Sequence, residues 1–348
     1  MKILQVITLC ELGGAQSVVV NLSNNLSKKH DVMVVAGDGD GKMWGLLSDR
    51  VKTATIPSLK KEISLVDEFK TIKALRQIYK EFKPDIIHLH SSKAGVLGRV
   101  AFPKRKIIYT VHGFDSIRVA HKVFLPIEKI LQYRCAAIIG VSEYDRINLL
   151  SSGITRNVSV VHNGIYAPQK TDNIPDSLKY NGRKKVACIA RLSPQKNHQL
   201  FIDISRVMPQ YDFYWIGNQK DVSTDYPKNC FFLGSIPNAS SLLHYIDLLI
   251  LTSNYEGLPM VIIEALAASK PVVSSNVGGV NEIVRDGIDG YAVANSVNEF
   301  SDKISYILDN EEVASVFGKN GEKIYESELT VEKMTSNYLK IYHSICAH

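Results

Sequence analysis

Short runs of apolar, β-branched residues alternate with helix-period segments over most of the chain, and this alternation limits the folds that the chain can adopt. In the first half, buried strands of four to six residues are predicted at residues 3–8, 32–36, 85–90, 107–111, 137–141 and 158–162. Between two of them, Phe69, Ile72 and Leu75 recur at helical spacing. Strands that alternate with amphipathic helices predict a parallel sheet that helices cover on both faces.

The alternation is interrupted at residues 166–184, where Pro, Asp, Asn and Gly replace the apolar periodicity and predict a linker. It then resumes, with strands predicted at residues 186–190, 213–216, 231–233, 248–252, 271–275 and 291–293, and helices near 297–308, 311–326 and 331–345. Because 348 residues exceed what one hydrophobic core accommodates, we predict an α/β protein with domains at residues 1–165 and 185–330. Doubly wound sheets bind ligands at the carboxyl ends of their strands, so the site is expected in a cleft between the domains.

Charge is distributed unevenly along the chain. The 41 basic and 35 acidic residues give a net charge of +6. Residues 1–165 hold 24 basic and 14 acidic residues, a net charge of +10, so the remaining 17 basic and 21 acidic residues carry −4. A basic half attracts an anionic surface or substrate. The basic patches lack interleaved aromatic residues, which argues against a nucleic-acid partner.

Cysteine usage and hydropathy favour a soluble, cytoplasmic protein. The five cysteines lie far apart, so neither a disulfide framework nor a zinc knuckle is expected. The first apolar run is too short for a signal peptide, and no stretch of about 18 apolar residues predicts a transmembrane helix.

The most informative segment is residues 253–265, Ser-Asn-Tyr-Glu-Gly-Leu-Pro-Met-Val-Ile-Ile-Glu-Ala, which begins where a predicted strand ends. Pro259 suits the first turn of a helix, because its missing N–H would be unpaired there. The free N–H groups at such a helix start form a natural seat for a diphosphate. Glu256, before the helix, can accept hydrogen bonds from sugar hydroxyls, and Glu264, about two turns into it, can bind a ribose diol.

Two glutamates with seven residues between them, in the context E-G-x-P-x-x-x-x-E-A, resemble the hallmark of the retaining GT-B glycosyltransferases of family 4. The resemblance covers nearly the whole chain, because further motifs occur in the family's order: Gly13-Gly14-Ala15, Thr110-Val111-His112-Gly113, Val161-His162-Asn163-Gly164-Ile165, Ala190-Arg191-Leu192 with Lys196, Val277-Gly278-Gly279-Val280, Glu282-Ile283-Val284 and Asp286-Gly287. It implies two Rossmann-like, doubly wound, parallel-sheet domains that face a central cleft. It also implies a C-terminal helix at residues 331–348 that packs back on the first domain, and a hinge in the linker that lets the domains close on the donor.

The resemblance assigns roles to individual residues. The catalytic residues that it implies are Arg191, Lys196, Glu256 and His112, and the donor-binding residues are Gly13, Gly14, Glu264, Gly257, Leu258, Met260 and Asn163. Arg191 and Lys196 would stabilise the negative charge of the leaving nucleoside diphosphate, without a metal ion or other cofactor. His112 would lie beside the donor sugar, where it supports the developing oxocarbenium character. No residue is assigned as a nucleophile.

Structural interpretations of the same residues stay open. Arg191 and Lys196 can be surface cations, Gly13-Gly14 can be a tight turn, and a histidine at a strand end is often structural. Asn163 can serve the turn alone. His88 and His90 alternate along a predicted strand and could suggest a metal site, but no third ligand is spaced to complete one.

These observations lead us to expect a retaining hexosyl- or N-acetylhexosaminyltransferase that uses a nucleotide-sugar, with UDP favoured by its frequency in the family. We expect a glycan or lipid-linked saccharide acceptor in envelope polysaccharide assembly. Basic residues form three clusters: Lys73, Arg76, Lys80 and Lys83; Lys60-Lys61; and Lys104-Arg105-Lys106. Two explanations are open for them, a solvated helix face and a peripheral contact with anionic lipid at the cytoplasmic side of the membrane. The alternatives are a small-molecule acceptor, a nucleotide-sugar epimerase of the same fold, and a non-catalytic binding module.

Overall fold

A computed structural model describes residues 1–120, 122–179, 181–218, 222 and 225–347. The chain forms two compact units, one made of Met1–Gly164 with Val331–His348 and the other of Ile165–Thr330. Each unit contains a parallel sheet, and helices connect most of the successive strands. The predicted pair of Rossmann-like α/β domains is therefore confirmed.

The described residues of the first unit form a seven-stranded parallel sheet of order β3-β2-β1-β4-β5-β6-β7. The strands, numbered along the chain, are β1 (Lys2–Leu9), β2 (Asp31–Gly37), β3 (Lys52–Thr55), β4 (Ile86–His90), β5 (Ile107–Val111), β6 (Ala137–Gly140) and β7 (Val158–Val160). The helices of this unit are α1 (Gly14–Leu26), α2 (Leu65–Phe82), α3 (Ser92–Ala101), α4 (Leu125–Leu131), α5 (Glu143–Ser151) and, at the end of the chain, α10 (Val331–Cys346).

Helix α3 lies very close to the sheet of the first unit. A Cβ added to Gly95 would lie 2.5 Å from the ring of Tyr109, and one added to Gly98 would lie 2.5 Å from Leu89. Tyr109 and Leu89 are buried in the core that β4 and β5 share with the helices. The two glycines therefore allow the backbone of α3 to approach β4 and β5 closely.

Helix α10 is anchored to the same sheet by buried tyrosines. The Tyr342 hydroxyl lies 2.7 Å from Nδ1 of His88 on β4, and the Tyr338 hydroxyl lies 3.1 Å from Oγ1 of Thr110 on β5. Both tyrosines are fully buried. The last helix of the chain thus completes the polar interior beneath β4 and β5.

The described residues of the second unit form a six-stranded parallel sheet of order β10-β9-β8-β11-β12-β13. Its strands are β8 (Lys185–Ile189), β9 (Asp212–Ile216), β10 (Cys230–Phe232), β11 (Leu248–Leu251), β12 (Val272–Ser275) and β13 (Gly290–Val293). Its helices are α6 (His198–Val207), α7 (Met260–Ala267), α8 (Val297–Leu308) and α9 (Glu311–Ile324).

Two features differ from the sequence-based expectation. Strand β3 was not predicted, because Lys-Thr-Ala-Thr has no apolar run; this exposed edge strand pairs with β2, and Lys52 forms an ion pair with Asp31. Residues 166–184, expected to be a separate linker, group with the second unit, where the carbonyl of Pro168 lies 3.0 Å from Nε2 of His244. Their action as a hinge stays a prediction.

A buried ion pair joins α3 to α4. Arg99 Nη2 donates to Glu128 Oε2 at 2.7 Å, and both side chains are almost completely buried. The guanidinium also lies 4.3 Å from the centre of the Tyr109 ring. Removing one member of such a pair leaves the other charge in the protein interior without compensation.

We expect Glu128→Ala to destabilise the protein by about 3–5 kcal/mol, because it strands the Arg99 charge. The double variant Arg99→Met with Glu128→Leu should recover most of that loss, because neither buried charge remains. Denaturant unfolding of the wild type and both variants measures these differences. A Glu128→Ala protein that is less stable by under about 1 kcal/mol would contradict the expectation.

Candidate functional site

In the second unit, the predicted glutamate motif lies between β11 and α7. Pro259 takes the position directly before the helix, with φ −71° and ψ 119°, and α7 begins at Met260 rather than at the proline. Glu256 lies in the loop and is buried, whereas Glu264 lies in the helix and is partly buried. The motif thus places one carboxylate before the helix start and one within the helix.

The loop that carries Glu256 is tied to the turn that carries Lys196. The N–H of Asn254 donates to the carbonyl of Gln195 at 2.7 Å, and the Gln195 side chain donates to the carbonyl of Tyr255 at 2.9 Å. The hydroxyl of Thr252, just after β11, donates to the carbonyl of Lys196 at 3.0 Å. These bonds hold two segments about sixty residues apart in the chain side by side.

Lys196 and Glu256 form an ion pair at this junction. The ammonium of Lys196 bonds to Oε1 of Glu256, and the Ser253 hydroxyl donates to the same oxygen at 2.6 Å. The Glu256 side chain is 8% exposed and that of Lys196 is 20% exposed. A cation and a hydroxyl therefore hold the carboxylate in one place while the Lys196 ammonium keeps contact with water.

Arg191 lies at the same edge of the sheet, shortly after β8, and its side chain is exposed. No ion pair to this guanidinium occurs among residues 165–330 that the structure describes. A cation without an ion-pair partner at the carboxyl ends of parallel strands is available to an anionic ligand.

Gly278 brings a second loop against the glutamate motif. Its φ of 61° is in the left-handed region, and an added Cβ would lie 2.0 Å from the carbonyl oxygen of Glu256. The next residue, Gly279, donates its N–H to the carbonyl of Gly257 at 2.8 Å. Gly278, Ser253 and Gln195 were not among the predicted site residues. The Val277-Gly278-Gly279-Val280 motif could have indicated Gly278. No feature of the sequence indicates the contacts of Ser253 and Gln195.

The two carboxylates are in different electrostatic surroundings. Desolvation raises the pKa of the Glu264 carboxyl from 4.5 to about 7. In the part of the second unit that the structure describes, no hydrogen bond or ion pair to this carboxyl compensates for the desolvation. Leu258 and Met260, beside the start of the helix, are buried, so the neighbourhood of α7 is largely apolar.

In the first unit, β1, β4 and β5 are neighbours, and the segments after β1 and β5 carry the predicted residues Gly13, Gly14 and His112. Gly13 precedes α1 in extended backbone at φ 178°, and Gly14 is the first residue of the helix. An added Cβ on Gly13 would lie 2.9 Å from the side-chain oxygen of Gln16. The backbone conformation therefore does not require a glycine here, but the space beside Gln16 is limited.

His112 directly follows β5 and does not stand alone. Its Nε2 lies 2.9 Å from Nδ1 of His90, the last residue of β4, and Nε2 of His90 lies 2.6 Å from Oε1 of Gln5 on β1. Burial lowers the pKa of His112 to about 4, so its ring is neutral at neutral pH. Sequence reasoning had considered His90 only as a weak metal candidate and had not singled out Gln5.

The remaining predicted residues have structural contacts as well. Asn163, after β7, is buried, and the N–H of Gly164 beside it contacts Sδ of Met334 in α10 at 3.2 Å. Both ring nitrogens of His88 are engaged by Tyr342 and Thr110. Among the described residues, no group of three His, Cys, Asp or Glu side chains is placed to hold a metal ion.

Comparisons with known proteins match both halves of the chain. A family model described as Glycosyltransferase Family 4 matches residues 12–167, and one described as Glycosyl transferases group 1 matches residues 169–324. The UDP-Gal:alpha-D-GlcNAc-diphosphoundecaprenol alpha-1,3-galactosyltransferase of Escherichia coli is 27% identical over 353 residues, which cover 92% of this chain and 91% of that protein. A GalNAc-alpha-(1->4)-GalNAc-alpha-(1->3)-diNAcBac-PP-undecaprenol alpha-1,4-N-acetyl-D-galactosaminyltransferase of Campylobacter jejuni is 24% identical over 310 residues, 84% of each chain.

Solved structures show the same fold. The Anabaena protein HepE, in complex with UDP and glucose, has a TM-score of 0.83 at 21% identity, and the match covers 99% of this chain and 100% of that one. Sucrose-phosphate synthase from Thermosynechococcus elongatus has a TM-score of 0.85 at 18% identity, with 99% of both chains covered.

We predict that Glu264→Gln stabilises the ligand-free protein, and more so at alkaline pH. The carboxyl has a pKa of about 7 in the fold and 4.5 as the reference value, so ionisation in the fold costs free energy that grows between these pH values and is fully present above pH 7. A neutral amide avoids this cost, which we place at roughly 3 kcal/mol at pH 8.

Melting temperatures at pH 5 and pH 8 measure this difference. The matched control is Glu299→Gln, which makes the same substitution at an exposed helix residue of the second unit. A Glu264→Gln protein that melts below the wild type at pH 8 would show that the carboxylate is compensated in the fold.

Proposed function

The chain belongs to the family 4, group 1 glycosyltransferases of GT-B fold, and we propose that it transfers a hexosyl or N-acetylhexosaminyl unit from a UDP-sugar to a lipid-linked saccharide with retention of configuration. The observation that carries this proposal is the ion pair between the partly exposed Lys196 and the buried Glu256 just before α7, with Glu264 further along the same helix. The proposed setting is cell-envelope polysaccharide assembly in the cytoplasm.

The second unit is proposed to bind the donor. The start of α7 presents free N–H groups and a partial positive charge to the diphosphate. Glu264 is proposed to accept hydrogen bonds from the ribose hydroxyls, which would compensate for the desolvation of its carboxyl. Gly257, Leu258 and Met260 surround the helix start and would line the diphosphate.

Departure of the nucleoside diphosphate builds negative charge, and Arg191 and Lys196 are proposed to stabilise this charge more in the transition state than in the ground state. Lys196 would exchange part of its contact with Glu256 for a phosphate oxygen. Glu256 would then accept hydrogen bonds from sugar hydroxyls. Retention is proposed through attack on the face from which the diphosphate leaves, with a phosphate oxygen taking the proton of the acceptor hydroxyl.

Residues of the first unit are proposed to act on the sugar and its phosphates. Gly13 and Gly14 allow close approach of the backbone at the start of α1, and Asn163 supports the same edge of the sheet. His112 is proposed to contact the donor sugar as a neutral ring, since burial keeps its pKa at about 4. No metal ion is part of this proposal.

The choice of donor and acceptor draws on the relatives. The name of the Escherichia coli enzyme specifies UDP-Gal and a diphosphoundecaprenol-linked acceptor, and that of the Campylobacter jejuni enzyme a PP-undecaprenol-linked acceptor. A capsular polysaccharide biosynthesis glycosyltransferase, CapM, of Staphylococcus aureus is 25% identical over 352 residues. Sucrose-phosphate synthase shares the fold, so a small-molecule acceptor is the alternative within the transferases.

Ligand-induced thermal shifts, measured without added metal, test the donor site. We expect UDP to raise the melting temperature of the wild type more than GDP or ADP does, because a ligand that binds only the native state stabilises it by mass action. Glu264→Gln should lose the UDP-induced shift although its ligand-free melting temperature is higher. Glu299→Gln should keep the shift. A Glu264→Gln protein that UDP stabilises as much as the wild type would remove Glu264 from the donor site.

A surface formed by α4 and the single turns directly before and after it supports the proposed contact with a membrane. Val123, Ile127, Ile130 and Tyr133 recur at helical spacing and are exposed, with Val123 at 76% and Ile130 at 70%. We call these four residues the α4 apolar face. The exposed basic residues that flank it are Lys122, Lys129 and Arg134. The single acidic residue of segment 116–134, Glu128, is buried against Arg99. Apolar side chains with basic neighbours suit insertion into an anionic lipid surface.

The basic residues predicted from the sequence remain candidates for the same contact. The exposed basic residues are Lys73, Arg76 and Lys80 of α2 and Lys83 directly after it. Helix α3 packs against both α2 and α4. Phe69, near the start of α2, is 72% exposed and adds apolar surface. No helix in the described residues is long and apolar enough to span a bilayer.

Vesicle co-sedimentation at low salt tests this surface. The double variant Val123→Asp with Ile130→Asp should bind phosphatidylglycerol vesicles at least about tenfold more weakly than the wild type, because each apolar side chain contributes roughly 1.5 kcal/mol on burial. The matched control places aspartates at Val207 and Val316, exposed apolar residues of the second unit, and should bind as the wild type does. Equal binding by all three proteins would rule out the α4 apolar face.

A further inference from the structure

Gln5, His90 and His112 form a continuous hydrogen-bonded chain across three neighbouring strands of the first unit. Gln5 and His90 are fully buried, and His112 is partly exposed at the carboxyl end of β5. The contacts are Gln5 Oε1 to His90 Nε2 at 2.6 Å and His90 Nδ1 to His112 Nε2 at 2.9 Å. The two hydrogen bonds therefore connect the interior of the sheet to the ring of His112 at its edge.

The chemistry of each atom fixes where the protons are. An amide oxygen only accepts, so Nε2 of His90 must carry the hydrogen of that bond. Burial lowers the pKa of His90 well below its usual value, so its ring is neutral and Nδ1 has no hydrogen. Nδ1 therefore accepts, and Nε2 of His112 must be the donor. A neutral His112 ring with a hydrogen on Nε2 has a lone pair on Nδ1.

The Nδ1 atom of His112 is the last atom of this series of hydrogen-bonded groups. Within the described residues, no hydrogen bond to this atom occurs, and the ring is partly exposed. A neutral nitrogen with a lone pair accepts a hydrogen bond from a hydroxyl group, and it repels rather than binds an anionic phosphate oxygen. The ligand group that fits this atom is thus a hydroxyl.

We propose that Gln5 and His90 are positioning residues that hold His112 in the Nε2-protonated tautomer, so that its Nδ1 accepts a hydrogen bond from a hydroxyl of the donor sugar. This inference rests on the proposed function only for the identity of the hydroxyl. The tautomer follows from the hydrogen-bond contacts and from the burial that keeps the His90 ring neutral. The inference assigns His112 the role of a neutral hydrogen-bond acceptor, which is neither a cation for the diphosphate nor a general acid.

A second buried network nearby provides a matched control. His88 bonds Thr110 and Tyr342, and its ring lies 4.0 Å from that of His90 without a hydrogen bond between them. Thr110→Val removes a hydroxyl that bonds to His88 and Tyr338 in the same layer of the core. In the described residues, Thr110 makes no side-chain hydrogen bond to Gln5, His90 or His112, whereas Gln5 also bonds to Tyr342. General loosening of the core should therefore affect Thr110→Val and Gln5→Met alike, whereas loss of the tautomer should affect only Gln5→Met.

Nitrogen-15 NMR of the full-length, ligand-free protein labelled at histidine tests the tautomer directly, with His112→Asn used for assignment. We expect the wild type at pH 7 to show an unprotonated Nδ1 and a protonated Nε2 for His112. Gln5→Met should produce a mixture of tautomers, and Thr110→Val should not. A wild-type His112 that carries its hydrogen on Nδ1, or that is protonated on both nitrogens, would overturn the inference even if Gln5→Met fails to fold.

Ligand addition and kinetics then test what the tautomer does. Addition of a UDP-sugar should shift the Nδ1 resonance of His112, and addition of UDP should not; a shift with UDP alone would show that Nδ1 contacts the nucleotide and would refute the sugar assignment. Gln5→Met and His90→Phe should lower kcat/KM about tenfold, as expected for loss of one hydrogen bond, with the Kd of UDP unchanged.

The two levels of the proposal fail in different ways. If the wild type transfers no sugar from any UDP-sugar but His112 has the expected tautomer, then the proposed function fails and the role of Gln5 and His90 as positioning residues stands. If transfer occurs and Gln5→Met changes neither the tautomer nor kcat/KM, then the positioning role is refuted while the glycosyltransferase activity remains.

Discussion

Parallel pairing of the strands is the constraint on which both units depend. Because every described strand pair is parallel, the chain must cross back along the sheet after each strand, in most cases through a helix, and the carboxyl ends of the strands lie at one edge of each sheet. In the first unit this edge receives His90 and His112 from neighbouring strands. In the second it receives Lys196, Glu256 and Gly278 from the segments that follow β8, β11 and β12. Side chains far apart in sequence therefore come together at one edge of each sheet.

Electrostatic compensation differs between the two carboxylates of the glutamate motif. Glu256 is held by an ammonium and a hydroxyl, so its charge is stabilised before any ligand binds. Glu264 lies in an apolar neighbourhood that raises its pKa to about 7. Under the proposed function, the ribose hydroxyls donate the hydrogen bonds that the Glu264 carboxylate lacks in the ligand-free protein. Such a carboxyl reduces the stability of the ligand-free protein in exchange for ligand affinity, as functional groups in enzymes often do.

Burial also shifts the pKa of the histidines in the first unit, and it keeps their rings neutral. An exposed histidine is partly charged near neutral pH, whereas the low pKa of His112 makes it a neutral ring whose hydrogen position depends on its neighbours. The polar layer beneath it is closed by tyrosines from α10, the last helix of the chain. The C-terminal segment thus contributes to the surroundings of residues at the carboxyl ends of β4 and β5.

The sequence by itself determined the α/β class, the two-domain organisation and nearly all strands, because buried parallel strands are continuous apolar runs that alternate with periodic helices. It also located Glu256, Glu264, Arg191 and Lys196 through motifs. It missed β3, whose polar residues are held by pairing with β2 rather than by burial.

Only the tertiary structure decided the rest. Helical periodicity records that a face is apolar but not whether another element covers it, so the exposure of the α4 apolar face was not predictable. Likewise, the bond between Lys196 and Glu256 and the chain from Gln5 to His112 depend on the order of strands in each sheet. Strand order is set by long-range packing and is not encoded in any local pattern of residues.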